Sequence, residues 1–398
     1  MQRFYFDHNA TTPVAPEVLE AMLPCLGQVY GNASSIHCFG QAAKQKLELA
    51  RRQIAALVNA SPADLIFTSG GTEADNLAVL GVARAASGAT GAATGATGAA
   101  TGSTRHVVTT AIEHPAVLEP CLQLEREGVA VTRVRVGPSG VVEPEDVLKA
   151  LRADTVLVSV MHVNNELGTV QPIAEIARAT RERRIPLHVD GVQALDKLPV
   201  DVEALGADLY SMSGHKIYAP KGIGALWVRK GTPLAAIVFG GHHERNRRPG
   251  TENVAGAVAF GAAAELVARN LAAETAGLAA LRDRLESAIL DRIPGAGING
   301  SPWRRVANTS NVYFDGIDGE ALTIALDLRG FSVSTGAACS SGALAPSHVL
   351  TAIGLGTGRA RASMRFSLGR SNTAGQVDAL VEALVASVEH LRRISVNA

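Results

Sequence analysis

Short apolar runs rich in valine and isoleucine alternate with amphipathic stretches over the first two thirds of the chain. Their length and β-branched content predict buried strands, at residues 65–68, 106–110, 155–161, 187–190, 208–212 and 223–228. Between them apolar residues recur at helical spacing, which predicts helices at residues 41–58, 73–86, 116–127 and 173–183. This alternation is typical of an α/β fold with a mostly parallel sheet covered by helices on both faces.

The pattern changes near residue 260. A long Ala/Leu-rich helix is predicted at residues 254–293, followed by strands at 309–314 and 363–366 and a last helix at 377–392. We therefore expect a large domain over residues 14–260, and a smaller α+β C-terminal domain formed by residues 1–13 and 261–398. The Gly-Ala-Thr repeats at 86–104 lack side chains for a core and predict a flexible surface insertion.

Composition narrows the functional classes. The 398 residues suit two domains that share a cleft, and 37 basic residues balance 37 acidic ones. A balanced charge disfavours direct DNA binding and polybasic membrane docking. No apolar run is expected to span a membrane, and the N-terminus lacks the pattern of a secretory signal. These features predict a cytoplasmic protein.

The cysteines are Cys25, Cys38, Cys121 and Cys339, and none forms a CxxC pair. Their spacing gives little support to a disulfide framework, a zinc ribbon or an Fe–S ligand set. Cys25 and Cys121 are expected to be small buried core residues. We predict no metal site, because Arg247 stands where an HExxH pattern starting at His243 would need its second histidine.

Two residues point to an aldehyde cofactor. Lys216 follows the strand at 208–212, and a lysine at the carboxyl end of a sheet can form a Schiff base. Asp190 ends the strand at 187–190 and could pair with the ring nitrogen of pyridoxal phosphate (PLP). Lys216 could instead be a surface lysine, and Asp190 a helix cap.

Three further positions fit the same cofactor. Gln193 could reach the phenolic oxygen of the ring. Residues 69–73, which include Gly71 and Thr72, lie between a strand and a helix and could hold a phosphate, although an ordinary turn is equally compatible. His114 follows another strand and could stack on the ring, or it could be a structural histidine.

Two residues suggest the substrate chemistry. Cys339 lies among small residues that anchor no core, so it is a candidate exposed nucleophile, with a buried small residue as the alternative. Arg365 lies inside an apolar strand, where it needs a carboxylate. That carboxylate could belong to a substrate or to a structural ion pair.

The chain resembles the cysteine desulfurases of the NifS/IscS type, within the class V aminotransferases of PLP fold type I. The resemblance covers nearly the whole chain, and its motifs lie at residues 7–13, 70–76, 113–114, 162–166, 188–190, 213–216, 250–253 and 365–370. It implies a large domain with a mostly parallel seven-stranded sheet.

The resemblance also implies a role for each matching residue. Lys216 would hold PLP, His114 would stack on its ring, Asp190 would pair with its nitrogen, and Gln193 and Asn165 would contact its oxygen side. Gly71 lies in the phosphate motif, where the phosphate would be bound by Thr72, Ser213 and His215, with Thr251 reaching in from the other subunit of a homodimer. Arg365 and Asn165 would bind the cysteine carboxylate, and Cys339 would take the sulfur.

Four features depart from the family pattern. Ala337 replaces a usual serine, Ala345 replaces a common acidic residue, and the Gly-Ala-Thr segment is an insertion. The short segment after the last helix is expected to lack the longer tail with which some members dock a scaffold protein.

The function expected from this resemblance is conversion of L-cysteine to L-alanine. The Lys216 amine would remove the Cα proton, and the Cys339 thiolate would attack the substrate sulfur to give a persulfide. An Fe–S scaffold or another sulfur acceptor would receive that sulfur. The alternatives are an aminotransferase of the same fold, a selenocysteine lyase, and a non-catalytic assembly protein.

Overall fold

The computed structural model describes residues 2–86, 105–335 and 346–396. Within them the strands are Phe4–Tyr5 (β1), Leu65–Thr68 (β2), His106–Thr110 (β3), Ala130–Val134 (β4), Thr155–Met161 (β5), Leu187–Asp190 (β6), Leu209–Ser213 (β7), Gly224–Val228 (β8), Ala296–Ile298 (β9), Thr309–Phe314 (β10), Phe331–Ser332 (β11), Ser334–Thr335 (β12) and Ser363–Ser367 (β13).

The helices are Pro16–Met22 (α1), Pro24–Gly27 (α2), Cys38–Leu57 (α3), Gly71–Ala85 (α4), Pro115–Arg126 (α5), Pro144–Ala150 (α6), Ile173–Glu182 (α7), Val202–Leu205 (α8), His243–Asn246 (α9), Val254–Arg292 (α10), Gly319–Asp327 (α11), His348–Ala352 (α12), Thr357–Arg361 (α13) and Ala374–Val396 (α14). In α9, Glu244 and Arg245 have left-handed backbone dihedrals.

The larger sheet contains seven strands in the order β2-β8-β7-β6-β5-β3-β4. The five strands from β7 to β4 are parallel, whereas β8 is antiparallel to both of its neighbours. The α/β class with a mostly parallel sheet is therefore confirmed. The hydrophobic pattern had predicted six of these strands and missed β4, an edge strand whose side chains are mostly only half-buried.

Helices cover both faces of this sheet, as expected for parallel strands. Buried residues of α4 and α5 pack against the strand side chains on one face of the sheet, which include Val107 and Leu157. Residues of α3, α7 and α10 pack against the strand side chains on the other face, which include Val108 and Val158. Successive residues of a strand point to opposite faces, so the sheet lies between two apolar layers.

The C-terminal part forms a separate sheet, with the order β12-β13-β10-β9. Its apolar cluster joins α11 and α14 to this sheet and includes Phe6 from near the N-terminus. Strand β1 pairs in parallel with β11. The domain boundaries at 13/14 and 260/261 stay a prediction, and residues 87–104 of the insertion lie outside the described residues.

Helix α10 corrects one expectation. By length and composition it is apolar enough to cross a membrane, although no such run had been expected. However, 56% of its most apolar window is buried inside the protein. The helix packs along α3 and contributes Phe260 and Val267 to the core. Its apolar character thus has a structural explanation in core packing.

The carboxyl ends of the parallel strands meet at one edge of the sheet. Strand β6 ends at Asp190, and β7 extends one residue further than predicted, to Ser213. A single 3₁₀ turn, Gly214–Lys216, follows β7 directly. The fold thereby brings the Asp190 and Lys216 side chains to the same edge, where ligands bind in open α/β sheets.

This edge requires glycine at position 191. Gly191 follows Asp190, and a Cβ atom there would overlap the ring of Tyr210, which is fully buried. The Tyr210 hydroxyl is fixed in turn by His162 Nδ1 at 2.9 Å. The ring therefore has little freedom to move away from an added methyl group.

We predict that Gly191→Ala lowers the free energy of unfolding by about 1–3 kcal/mol, because overpacking forces the Tyr210 ring or the backbone to shift. Gly375→Ala is the matched control, since the Cβ position at this helical glycine is open and alanine favours helix. Denaturant titration measures both. Equal stability of the two variants would contradict the prediction.

Candidate functional site

A cavity of about 330 Å³ opens at the carboxyl edge of the larger sheet. It is lined by residues from three parts of the chain: the N-terminal segment, the large sheet and strand β13 of the smaller sheet. The predicted site residues among its lining are Gly71, Thr72, His114, Asn165, Asp190, Gln193, Ser213, His215, Lys216 and Arg365. Residues that sequence reasoning had not assigned also line it, namely Asn9, Ala10, Asp75, Ala116, Met161 and Val192.

Lys216 is held by the N-terminal segment. Its Nζ donates to the carbonyl oxygen of Asn9 at 2.6 Å and to that of Ala10 at 2.7 Å. The same segment is fixed to the turn after β7, because Thr12 Oγ1 donates to the His215 carbonyl oxygen at 3.0 Å. Lys216 is therefore oriented at the cavity by backbone acceptors, which argues against a loose surface lysine. Those acceptors lie more than 200 residues away in sequence, so no local pattern could have indicated them.

Asp190 lies on the floor of the cavity and is buried. Its Oδ1 accepts from the Val192 backbone N–H at 3.0 Å. The segment after Asp190 forms turns and no helix, so the helix-cap alternative is wrong. Burial, followed by the nearby Asp75 carboxylate, raises the pKa of Asp190 to about 7. A cationic group at this carboxylate would relieve that cost, because an opposite charge favours ionisation.

Asp75 and His188 surround Asp190 with further buried polar groups. Asp75 Oδ1 lies 3.5 Å from His188 Nε2, and burial raises the pKa of Asp75 to about 7. His188 Nδ1 is within 2.8 Å of Ser159 Oγ, and burial lowers the pKa of His188 to about 4. The histidine is therefore neutral near pH 7, and the floor carries carboxylates without a histidine cation to balance them.

The start of α4 forms another wall. Gly71 begins this helix, and a Cβ there would lie 2.6 Å from Val192 Cγ2, which leaves no room for a side chain. Ser213 Oγ is buried and has no partner among the described residues. His215 Nδ1 contacts Thr11 Oγ1 at 3.1 Å, and burial, then Lys216, lowers the pKa of His215 to about 4. Hydroxyls and a helix N-terminus at this wall are suited to an anion.

His114 has a structural role and also faces the cavity. It is the N-cap of α5, and its Nδ1 accepts from the Ala116 backbone N–H at 3.1 Å. Burial, followed by the charge of Lys216, lowers the pKa of His114 to about 4. His114 therefore has the structural role that the sequence left open, as a helix cap. Its position in the cavity lining is also compatible with stacking on a cofactor ring.

Arg365 is almost completely buried, at 1% exposure, in strand β13. Its Nη2 donates to Asp7 Oδ1 at 2.6 Å, and its Nη1 donates to the Asn165 carbonyl oxygen at 3.0 Å. The structural ion pair that sequence reasoning had left open is therefore present. Asp7 is a site residue to which that reasoning had given no role. It lies 358 residues from its partner, and only the motif at residues 7–13 drew attention to it.

One predicted site residue within the described part of the chain does not line the cavity. Thr251 is exposed and lies outside that lining. Cys339 lies outside the described residues. Of the remaining cysteines, Cys25 and Cys121 are buried, as predicted, and Cys38 is exposed. Within the described residues no group of three or more His, Cys, Asp or Glu side chains could hold a metal ion.

Comparison with known proteins places this geometry in a family. The profile of the class-V aminotransferases matches residues 4–380. A cysteine desulfurase IscS of Dictyoglomus turgidum is 44% identical over 391 residues, which cover 98% of this chain and 96% of that protein. A solved NifS-like protein has a TM-score of 0.89 at 35% identity, covering 98% of this chain and all of the other.

A second solved structure, SspA in complex with cysteine, has a TM-score of 0.79 at 36% identity and covers 92% of this chain and 98% of the other. The profile match spans most of the chain, and the IscS relative aligns almost from end to end. The chain therefore belongs to the class-V aminotransferase family, within its cysteine desulfurases of the NifS/IscS type.

Proposed function

We propose that this chain is a PLP-dependent cysteine desulfurase that releases L-alanine from L-cysteine and carries the sulfur as a persulfide on Cys339. The observation that supports this most directly is the arrangement around one cavity: a lysine for an aldehyde, a buried carboxylate for a pyridine nitrogen, and a buried arginine for a substrate carboxylate. Enzymes of this family use PLP.

The residues of the cavity fit that cofactor. Ser213 Oγ and Gln193 Oε1 are buried polar atoms with no partner among the described residues, and both residues line the cavity. Such atoms are costly unless a ligand or water satisfies them. Lys216 would hold the aldehyde carbon, Asp190 the ring nitrogen, and Gln193 and Asn165 the oxygen side. Thr72, Ser213 and His215, beside Gly71, would hold the phosphate. When bound, PLP supplies an electron sink for the Cα of the substrate.

Lys216 is the group that would move the Cα proton. The Asn9 and Ala10 carbonyl oxygens accept from its Nζ and fix the end of its flexible side chain. Two acceptors at 2.6 and 2.7 Å restrict where Nζ can lie, which lowers the entropy cost of proton transfer. Burial lowers the pKa of His114 and keeps its ring neutral. Because Nδ1 accepts from the Ala116 N–H, the neutral ring carries its proton on Nε2 and would act toward the ring or the thiol as a hydrogen-bond donor.

Arg365 and Asn165 would bind the cysteine carboxylate. The guanidinium already donates to the Asn165 carbonyl oxygen, and its Nε is buried without a partner among the described residues. A planar donor group that lies in a cavity wall and retains free N–H groups suits a carboxylate ligand. The substrate would thereby be oriented with its Cα toward Lys216.

The sulfur step would use Cys339. Its thiolate attacks the thiol sulfur of the substrate, the carbon–sulfur bond breaks, and the carbon takes a proton to become the methyl group of alanine. The sulfur stays on Cys339 as a persulfide until an acceptor thiol or an Fe–S scaffold takes it. An aminotransferase would release a keto acid instead, so measured alanine and sulfide separate these activities. A selenocysteine lyase would act on selenocysteine.

We also propose that the protein works as a homodimer in the cytoplasm. Several large apolar side chains between residues 19 and 39 are exposed, among them Tyr30, Ile36 and Phe39. A cleft of about 770 Å³ lies beside them, lined by Ser34, Glu244 and Glu252. Exposed apolar groups of this kind mark association surfaces, and Glu252 adjoins Thr251, which would complete the phosphate site of the other subunit.

Borohydride reduction of the purified protein should attach the mass of the cofactor covalently to the peptide that contains Lys216. Mass spectrometry of the digest identifies the position. Lys216→Ala should lose the label, whereas Lys221→Ala, a change in the same loop, should keep it. A label on another lysine, or none, would remove Lys216 from the proposed role.

Cys339→Ala should retain PLP and bind cysteine, but it should form no persulfide and release alanine at less than about one hundredth of the normal rate, because the nucleophile is gone. Treatment of the unaltered protein with cysteine should add sulfur to Cys339 alone. Cys38→Ala is the control, since Cys38 is exposed and outside the cavity lining. Full sulfide release by Cys339→Ala would show that another group accepts the sulfur.

Sedimentation should show a dimer, and Ile36→Asp should shift it toward a monomer that retains PLP poorly. The reason is that a charge at this 93% exposed position opposes burial in an interface. Leu328→Asp, at a 73% exposed position elsewhere, should remain dimeric. A monomeric protein with full cofactor occupancy would contradict the dimer.

A further inference from the structure

The donors of Arg365 are only partly used by the protein. A guanidinium has five N–H groups. Among the described residues, Nη2 donates to Asp7 Oδ1 and Nη1 to the Asn165 carbonyl oxygen, while the buried Nε has no partner. Donors therefore remain for an incoming carboxylate, although the positive charge is already met by Asp7. Arg365 can therefore still donate hydrogen bonds to a ligand, although its positive charge is already balanced by Asp7.

Asp7 is held on Arg365 by its backbone. The Ser367 N–H donates to the Phe6 carbonyl oxygen at 2.8 Å, and the His8 N–H donates to the Ser367 carbonyl oxygen at 3.1 Å. Asp7 forms a parallel bridge with Ser367, two residues beyond Arg365 on the same strand. These bonds fix the Asp7 backbone against strand β13, so its carboxylate cannot move beyond reach of the guanidinium unless the segment leaves that strand. Asp7 is expected to stay in place when a ligand arrives.

Other groups near the guanidinium do not replace Asp7. Glu166 is buried, and its Oε2 accepts from Ser347 Oγ at 2.5 Å. Burial raises the pKa of Glu166 to about 7, so its negative charge is reduced near neutral pH. Asp7 is the carboxylate in direct contact with Arg365 within the described part of the chain.

We infer that Asp7 is a positioning residue that sets carboxylate affinity: it remains paired with Arg365 when the amino acid binds, so that two carboxylates share one guanidinium. This inference rests on the proposed function, since the amino acid would be cysteine before the reaction and alanine after it. Arg365 then selects its ligand by hydrogen-bond geometry, while repulsion from Asp7 weakens binding and favours release of alanine.

By Coulomb's law, the negative charge of Asp7 weakens the binding of a second carboxylate to Arg365. Two carboxylates on one guanidinium lie a few ångströms apart, and in a buried site their repulsion is only partly screened. Removing the charge of Asp7 while keeping its oxygen should strengthen carboxylate binding by roughly tenfold. Asp7→Asn is that change, because its amide oxygen can still accept from Nη2.

The test compares carboxylate binding by the holoenzyme of Asp7→Asn with that of the unaltered protein. L-Alanine is titrated against the absorbance of the bound cofactor, and acetate is tested for its effect on the unfolding midpoint. Asp7→Asn is expected to bind L-alanine about tenfold more tightly and to show a lower KM for cysteine without a higher kcat. Its unfolding midpoint should be lower, because the buried guanidinium loses the negative charge that balances it, and acetate should restore the midpoint.

Two variants serve as controls. Asp7→Glu keeps the charge and should bind L-alanine within about twofold of the unaltered protein. Asp315→Asn removes a carboxylate from an exposed pair with Arg359 and reports the effect of net charge alone. If Asp7→Asn is too unstable to purify without a carboxylate, it can be prepared in acetate, and the acetate dependence of its midpoint still provides the answer.

Equal or weaker L-alanine binding by Asp7→Asn, or an acetate effect no greater than in Asp7→Glu, would overturn the inference. A merely structural Asp7 would lower stability without tightening the binding of either carboxylate. Failure of the proposed function has a different signature, because the unaltered holoenzyme would then form no alanine from cysteine. The acetate measurement does not depend on turnover, so the two failures can be told apart.

Discussion

Asn9 joins the two sheets across the cavity, and most of the site depends on that connection. Its side chain donates to the Asn165 carbonyl oxygen at 3.1 Å and to Thr309 Oγ1 at 2.9 Å. Its backbone carbonyl accepts from Gln193 Nε2 and from Lys216 Nζ. One short segment therefore accepts from donors in the loops of the larger sheet and donates to a hydroxyl on strand β10. A buried segment must find partners for its polar groups, and here those partners are the candidate site itself.

The cavity combines fixed cations with acidic surroundings. Lys216 and Arg365 are each held by neighbouring oxygen atoms, while Asp75, Glu113 and Asp190 are buried carboxyls with raised pKa values. Desolvation is the largest cause at each of the three. Carboxyls that are costly to ionise favour a cationic ligand beside them. The floor of the site is therefore suited to a protonated ring nitrogen, while an arginine in the wall receives an anion.

Much of the site could be predicted because its reactive side chains lie at the carboxyl ends of strands that the sequence pattern identifies. Asp190 and Lys216 were found from the rule that ligands gather at the carboxyl edge of a parallel sheet. Strand β4 was missed because an edge strand with polar side chains lacks a buried pattern. The membrane-like composition of α10 was missed because its small residues do not form one long apolar run, although they pack closely against α3.

Contacts between distant residues could not be read from local patterns. The carbonyl oxygens that hold Lys216 belong to Asn9 and Ala10, and backbone groups carry no sequence signature. Arg365 was expected to need a carboxylate, but the sequence could not decide between a structural ion pair and a substrate, and it did not indicate Asp7 as the partner. The surroundings of Cys339 depend on residues beyond those described, so its role rests on the resemblance and on the proposed chemistry.

The pairing of Asp7 with Arg365 also has a consequence for biosynthesis. The two residues are separated by 358 positions, and the first leaves the ribosome long before the second is translated. At typical elongation rates that interval lasts on the order of tens of seconds. The larger sheet can form during this time, but the N-terminal segment must wait for strand β13 before it can dock. A nascent chain therefore carries no competent centre, and activity begins only after translation has passed the last strand.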